Sequence, residues 1–280
     1  MERIKAALEK AKQDKQSNPQ RVNEADGAIK QRNESISQHE DLSSIKYDQT
    51  KTVKLDTEYL SQHRIVSHQK GTQYTTPFDL LRTQVLQKMK ENNWRTLAIT
   101  SPNPAAGKTV VSINLALSIA QQTETTALLI DFDLRRPKIK DYLGLEIDTS
   151  LNDVLERETD VKEALVKADL SRLVILPVEK SIENSSELLS SNKVKSLIKE
   201  IKNRYEERII IFDLPPLLNV DDTLAVLPEI DCVVMVIANG MSTKKEITES
   251  MQKLGAHNFL GVVLNRSDSD LKHYYYGKDS

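Results

Sequence analysis

Six short apolar runs recur along the chain: TLAITS (96–101), TALLID (126–131), LVILPV (173–178), RIIIFD (208–213), CVVMVIA (232–238) and LGVVLN (260–265). Between them lie stretches with helical spacing, at 109–121, 151–168, 187–204 and 243–254. The runs are continuous rather than alternating, which calls for burial on both faces. Strand–helix alternation of this kind builds an α/β fold with a doubly wound, mostly parallel sheet. A chain of 280 residues can bury such a core as one large domain with an appendage. Ligands of such sheets bind beyond the carboxyl ends of the strands, so chemistry is expected just after each run.

The first run leads into SPNPAAGKTVVSINLA. A strand, a loop of small residues, Gly-Lys-Thr and then a helix form the arrangement of a phosphate-binding loop, which makes the sheet one of P-loop NTPase type. The residues expected to hold a nucleotide are Ala105, Ala106, Gly107, Lys108, Thr109 and Val110. Backbone N–H groups at a helix N-terminus face the phosphates. Lys108 would supply positive charge, and the Thr109 hydroxyl would ligate Mg²⁺. The strict pattern begins with Gly five residues before Gly107; Pro102 stands there.

Three carboxylates stand at or just after the ends of the second and fourth runs. Asp131 and Asp133, in LLIDFDLRRPKI, point to one side of an extended segment. Beside a phosphate loop they could hold Mg²⁺ and accept a proton from an attacking hydroxyl; alone, they would read as a solvated turn. Arg135 and Arg136 follow, suited to charge on a transferring phosphoryl group or equally to solvent or an interface. Asp213, ahead of Pro215 and Pro216, fits the second magnesium-side carboxylate of phosphate-loop proteins. Asn265 ends the last run, where its amide could read an adenine edge or simply form a turn.

Outside the runs the chain is more polar. Residues 1–13 place Ile4, Ala7, Leu8 and Ala11 at helical spacing, a short amphipathic helix suited to partner docking rather than membrane insertion. Residues 14–75 read as a polar, largely flexible linker, with 51–75 ambiguous. The folded domain is expected over 76–265, opening with a helix through Phe78, Leu81, Val85, Leu86 and Met89. Residues 266–280 form a tail carrying Tyr274, Tyr275 and Tyr276, three of the eight tyrosines. A net charge of −2 gives no global basic field for nucleic acid. No apolar window is long enough for a membrane span. The single cysteine, Cys232, lies in an apolar run and reads as core. These features point to the cytoplasm, with any membrane role depending on another chain.

Taken together, AAGKT, LLIDFDLRRP and IIIFDLPP followed by a tyrosine-rich tail resemble the bacterial tyrosine autokinases of capsule and exopolysaccharide assembly, over roughly residues 76–280. NSSELLSS (184–191), LLRTQVLQKM and the ERIKAALEKA start are similar to the stand-alone cytoplasmic branch of that family. The resemblance implies transfer of the γ-phosphoryl of ATP, with Mg²⁺, to Tyr274, Tyr275 and Tyr276 of a neighbouring copy in a homo-oligomer. It implies that Lys108 and Thr109 hold phosphates and magnesium, that Asp213 completes the metal side, and that Asp131 takes the tyrosine proton with Asp133 assisting. A membrane-bound polysaccharide chain-length regulator would recruit and activate the kinase at the inner face of the membrane.

Three positions depart from the family pattern. Ala105 stands where the family usually has Gly; a left-handed conformation there would cost about 1–2 kcal/mol more for Ala. The family's Glu, Arg, Arg oligomerisation positions read Thr76, Asp79 and Arg82. Three tail tyrosines are few. The alternative reading is a switch ATPase of the septum-positioning and partition class. Such proteins carry a second lysine five residues before the loop lysine, where Asn103 stands. A nucleotide-binding regulator with little catalysis is the third reading.

Overall fold

The computed structural model describes residues 50–122, 125–157, 159–204 and 208–267. Within them an eight-stranded sheet runs β1 (Lys51–Val53), β4 (Val166–Ala168), β5 (Leu173–Leu176), β3 (Thr126–Asp131), β6 (Arg208–Asp213), β2 (Thr96–Thr100), β7 (Cys232–Ala238) and β8 (Phe259–Asn265). Every pairing is parallel except β4 with β5. The expected α/β class and all six expected strands are present. The strands β2, β3 and β5 are buried at every residue, as continuous apolar runs require.

Chain order and spatial order part company at β6, which inserts between β2 and β3. In that register Asp131 lies directly across from Asp213. Phe132 and Phe212 meet edge to face at 5.2 Å in the same region. The chain therefore brings two carboxylates, 82 residues apart in number, to adjacent strand ends.

Helix α3 (Lys108–Ala120) is buried at every residue except Val110. A helix buried on all sides needs cover on its outer face. Helix α2 (Thr76–Glu91), with Val85 and Met89 buried, supplies part of it. The rest comes from residues assigned by sequence to the linker. Leu55, Leu60 and Ile65 are fully or nearly fully buried in the same core. Helix α1 (Thr57–Gln62) is capped by Asp56, whose carboxylate accepts from Glu58 N and Tyr59 N at 2.9 and 3.2 Å. Among the described residues, regular structure is already present from Lys51 on, so the linker reading does not hold for 51–75, the part the sequence left ambiguous. Its failure has a physical cause: three well-spaced apolar residues suffice when a large hydrophobic surface awaits them.

The 151–168 stretch is likewise not one helix. Short helices Leu151–Arg157 and Val161–Ala164 precede β4. Residues 1–13, most of the 14–75 linker and Tyr274, Tyr275 and Tyr276 lie outside the described residues.

Candidate active site

The phosphate loop leaves β2 and enters α3 through two left-handed residues, Ala105 (φ 63°) and Gly107 (φ 88°). Ala105 therefore occupies the conformation for which glycine is favoured. Gly107 meets a second constraint: a Cβ there would lie 2.1 Å from Asn265 Nδ2. That amide nitrogen donates to Ala106 O at 2.8 Å, and Asn265 Oδ1 accepts from Arg266 N at 2.9 Å. Arg266 Nη2 donates to Ala105 O at 3.0 Å. Asn265, at the end of β8, therefore braces the phosphate loop. Pro102, at the loop's start, accepts through its carbonyl from Leu218 N at 3.1 Å, tying the loop to the segment after β6.

At the start of α3 the side chains converge. Thr109 Oγ1 donates to Asp213 Oδ2 at 2.6 Å. Lys108 Nζ lies 2.9 Å from Asp133 Oδ2 and 3.6 Å from Asp213 Oδ2. Ser112, one helical turn on and not singled out by sequence, sits 3.0 Å from Asp213 Oδ1. Its spacing of four from Lys108 was the available signal, since i and i+4 share a helix face.

Burial governs the charges here. Loss of solvent pushes the Asp213 carboxyl up, against the opposing pull of Lys108 and the Thr109 hydroxyl. Asp131 is pushed up to about 8, first by burial and then by the Asp213 charge. For Lys108, burial alone would lower the value, but Asp213, Asp133 and Asp131 outweigh it and hold the ammonium above its ordinary range.

The two acids of the DFD segment separate. Asp131 is wholly buried, and its Oδ2 accepts from Lys138 N and Ile139 N at 2.9 and 3.0 Å. It does not line the cleft. Asp133 does, within hydrogen-bond reach of Lys108. The cleft has a volume of about 1320 Å³. Its floor includes Lys108, Thr109 and Val110, and its walls include Arg135, Arg136 and Lys138. Gln62, His63 and Arg64, from the supposed linker, complete one wall. Asn265, Arg266 and Ser267 lie on the β8 side.

Thr109 and Asp213 offer hard oxygen donors, the set that suits Mg²⁺ shared with substrate phosphates. The Asp79 and Arg82 side chains of α2 are joined at 2.8 Å, and Ser118 bonds to both, so this pair is engaged within the domain.

A family described as an AAA domain matches residues 94–256, more than half of the chain. The tyrosine-protein kinase YwqD of Bacillus subtilis is 31% identical over 199 residues, covering 70% of this chain and 82% of YwqD. The tyrosine-protein kinase CpsD of Streptococcus pneumoniae is 28% identical over 218 residues, covering 77% and 92%. Among solved structures, the kinase domain of Escherichia coli tyrosine kinase ETK superposes with a TM-score of 0.67 at 25% identity, covering 81% of this chain and 94% of that domain.

Proposed function

Since the chain belongs to the bacterial tyrosine-protein kinase family and is a tyrosine-protein kinase built on an AAA domain, we propose that it is an autokinase. Its acceptors are Tyr274, Tyr275 and Tyr276 of a neighbouring copy, and its donor is ATP with Mg²⁺. The observation that supports this best is the Lys108–Asp133 pair at 2.9 Å on the floor of the cleft. It sets a phosphate-binding cation beside a carboxylate able to take a hydroxyl proton.

In this reading the amides of Gly107 to Val110 and the Lys108 ammonium hold the phosphates. Thr109 and Asp213 would hold Mg²⁺ together with the nucleotide, and the ion would supply neutralisation of phosphate charge. Asp133 accepts the tyrosine proton as the phenolic oxygen bonds to the γ-phosphorus and ADP leaves with the bridging oxygen. Asp131 braces the 131–139 loop through the Lys138 and Ile139 amides. The geometry therefore favours Asp133 over Asp131 as base, the reverse of the order the sequence suggested.

The cellular setting follows from the family. We infer a role in exopolysaccharide or capsule synthesis and export, with recruitment to the inner membrane face by a membrane-bound chain-length regulator. Among the described residues no helix is long and apolar enough to cross a membrane.

The test mixes two variants. Lys108→Ala protein with an intact tail is incubated with Mg²⁺, ATP and a Tyr274→Phe, Tyr275→Phe, Tyr276→Phe protein. Mass spectrometry should find phosphate on the tail of the Lys108→Ala chain. Phosphate confined to wild-type protein alone would refute transfer between copies. ATP hydrolysis without any phosphotyrosine would favour the switch-ATPase reading.

A further inference from the structure

Arg135 lines the cleft, yet it is not free to wander. Its Nε donates to both carboxylate oxygens of Asp222, at 3.2 and 3.4 Å. Asp222 is wholly buried, and its Oδ2 also accepts from the hydroxyl of Ser185, itself wholly buried. Three strand-end segments meet here: the one after β3, the one after β5 and the one after β6. The short helices Ser185–Leu189 and Asp222–Val226 pack together and bring the two buried residues into contact.

Burying a carboxylate against a side chain that is 39% exposed is a poor route to stability. It does fix direction. A guanidinium held through Nε keeps both Nη groups for a ligand, and its planar fork matches phosphate oxygens. Arg136, next along the chain, also lines the cleft, and among the described residues its side chain makes no such buried contact.

We infer that Asp222 and Ser185 are positioning residues that hold Arg135 against the substrate's phosphate oxygens during phosphoryl transfer. This rests on the kinase reading above. Asp222 touches no substrate; it acts through Arg135, and Ser185 acts through Asp222.

A double-mutant cycle tests it on the full chain, with ATP, Mg²⁺ and phosphotyrosine formation as the readout. Arg135→Ala and Asp222→Asn should each lower kcat by about 10- to 100-fold while changing the nucleotide Kd by less than about threefold. The Arg135→Ala, Asp222→Asn double variant should be no slower than Arg135→Ala alone, because the two act as one unit. Arg135→Lys retains a charge for Asp222 but not the fork, so thermal stability should hold while kcat stays low. Ser185→Ala, the mildest change, should give an intermediate loss. Losses that multiply in the double variant, or an Asp222→Asn kcat within twofold of wild type, would overturn the assignment. Should Asp222→Asn fold poorly, as judged by nucleotide binding, Arg135→Lys and Ser185→Ala decide: full kcat in both refutes it. If wild-type protein hydrolyses ATP without forming phosphotyrosine, the autokinase reading fails, and the same cycle is scored on hydrolysis.

Discussion

Replacing Ala105 by Gly should stabilise this protein. Ala105 is held at φ 63° in the phosphate loop. An L-residue in that region is disfavoured by about 1–2 kcal/mol relative to glycine. Glycine's greater freedom in the unfolded chain takes back about 0.4–1 kcal/mol. The methyl group of Ala105 is exposed and buries nothing of consequence. The bond to Arg266 uses the Ala105 carbonyl, which glycine keeps. The net gain is therefore about 0.5–1 kcal/mol, or a rise in Tm of about 1–4 °C for a domain of this size. Urea and thermal melts followed by circular dichroism would measure it. Gly107→Ala is the control of opposite sign: φ 88° and a Cβ 2.1 Å from Asn265 Nδ2 combine strain with loss of the Asn265–Ala106 bond. That variant should lose about 2–3 kcal/mol. An Ala105→Gly protein less stable than wild type would refute the left-handed path of the loop.

Asn114 should prove structural beyond its size. Buried on α3, it accepts from Val66 N and Ser67 N at 2.8 and 2.9 Å and donates to Arg64 O at 3.0 Å. Asn114→Ala strands those groups and should destabilise by about 2–4 kcal/mol, with faster amide exchange at Val66 and Ser67; a loss under about 1 kcal/mol would contradict the clamp. Stability should also fall as pH rises from about 4 to about 8. Asp131 is pushed up to about 8 in the folded protein, so across that window the native state binds a proton that the unfolded chain has released. The contribution is complete below the unfolded value and gone above the folded one. Chemical denaturation across pH should show a shallower decline in Asp131→Asn; equal slopes would reject a raised Asp131.

The fold was legible where it rested on local pattern. Each of the six apolar runs became a strand of four to seven residues, because a short, largely apolar run bounded by polar and turn residues admits few other solutions in a domain of this size. The two missed strands, Lys51–Val53 and Val166–Ala168, have three residues each and carry no periodicity to detect. The site was legible in part. Lys108, Thr109 and Asp213, all singled out from the sequence, lie together at the start of α3. Asp222 gave no signal, since an acidic residue at the start of a short helix ordinarily reads as a favourable charge near the helix N-terminus.

The sequence by itself determined that the chain would form a mostly parallel sheet, and that a lysine, a threonine and three carboxylates would stand at its strand ends. Both follow from hydrophobic patterning and from the chain's continuity across each strand end. Tertiary structure alone decided that β6 lies between β2 and β3, so that Asp213 faces Asp131. It also turned Asp133 rather than Asp131 toward the cleft, and recruited Leu60 and Ile65 from a polar stretch to cover α3. Patterning is a property of one segment. Strand order, side-chain exposure and the cover of a buried helix depend on surfaces contributed by segments far apart, and become fixed only when those surfaces leave water together.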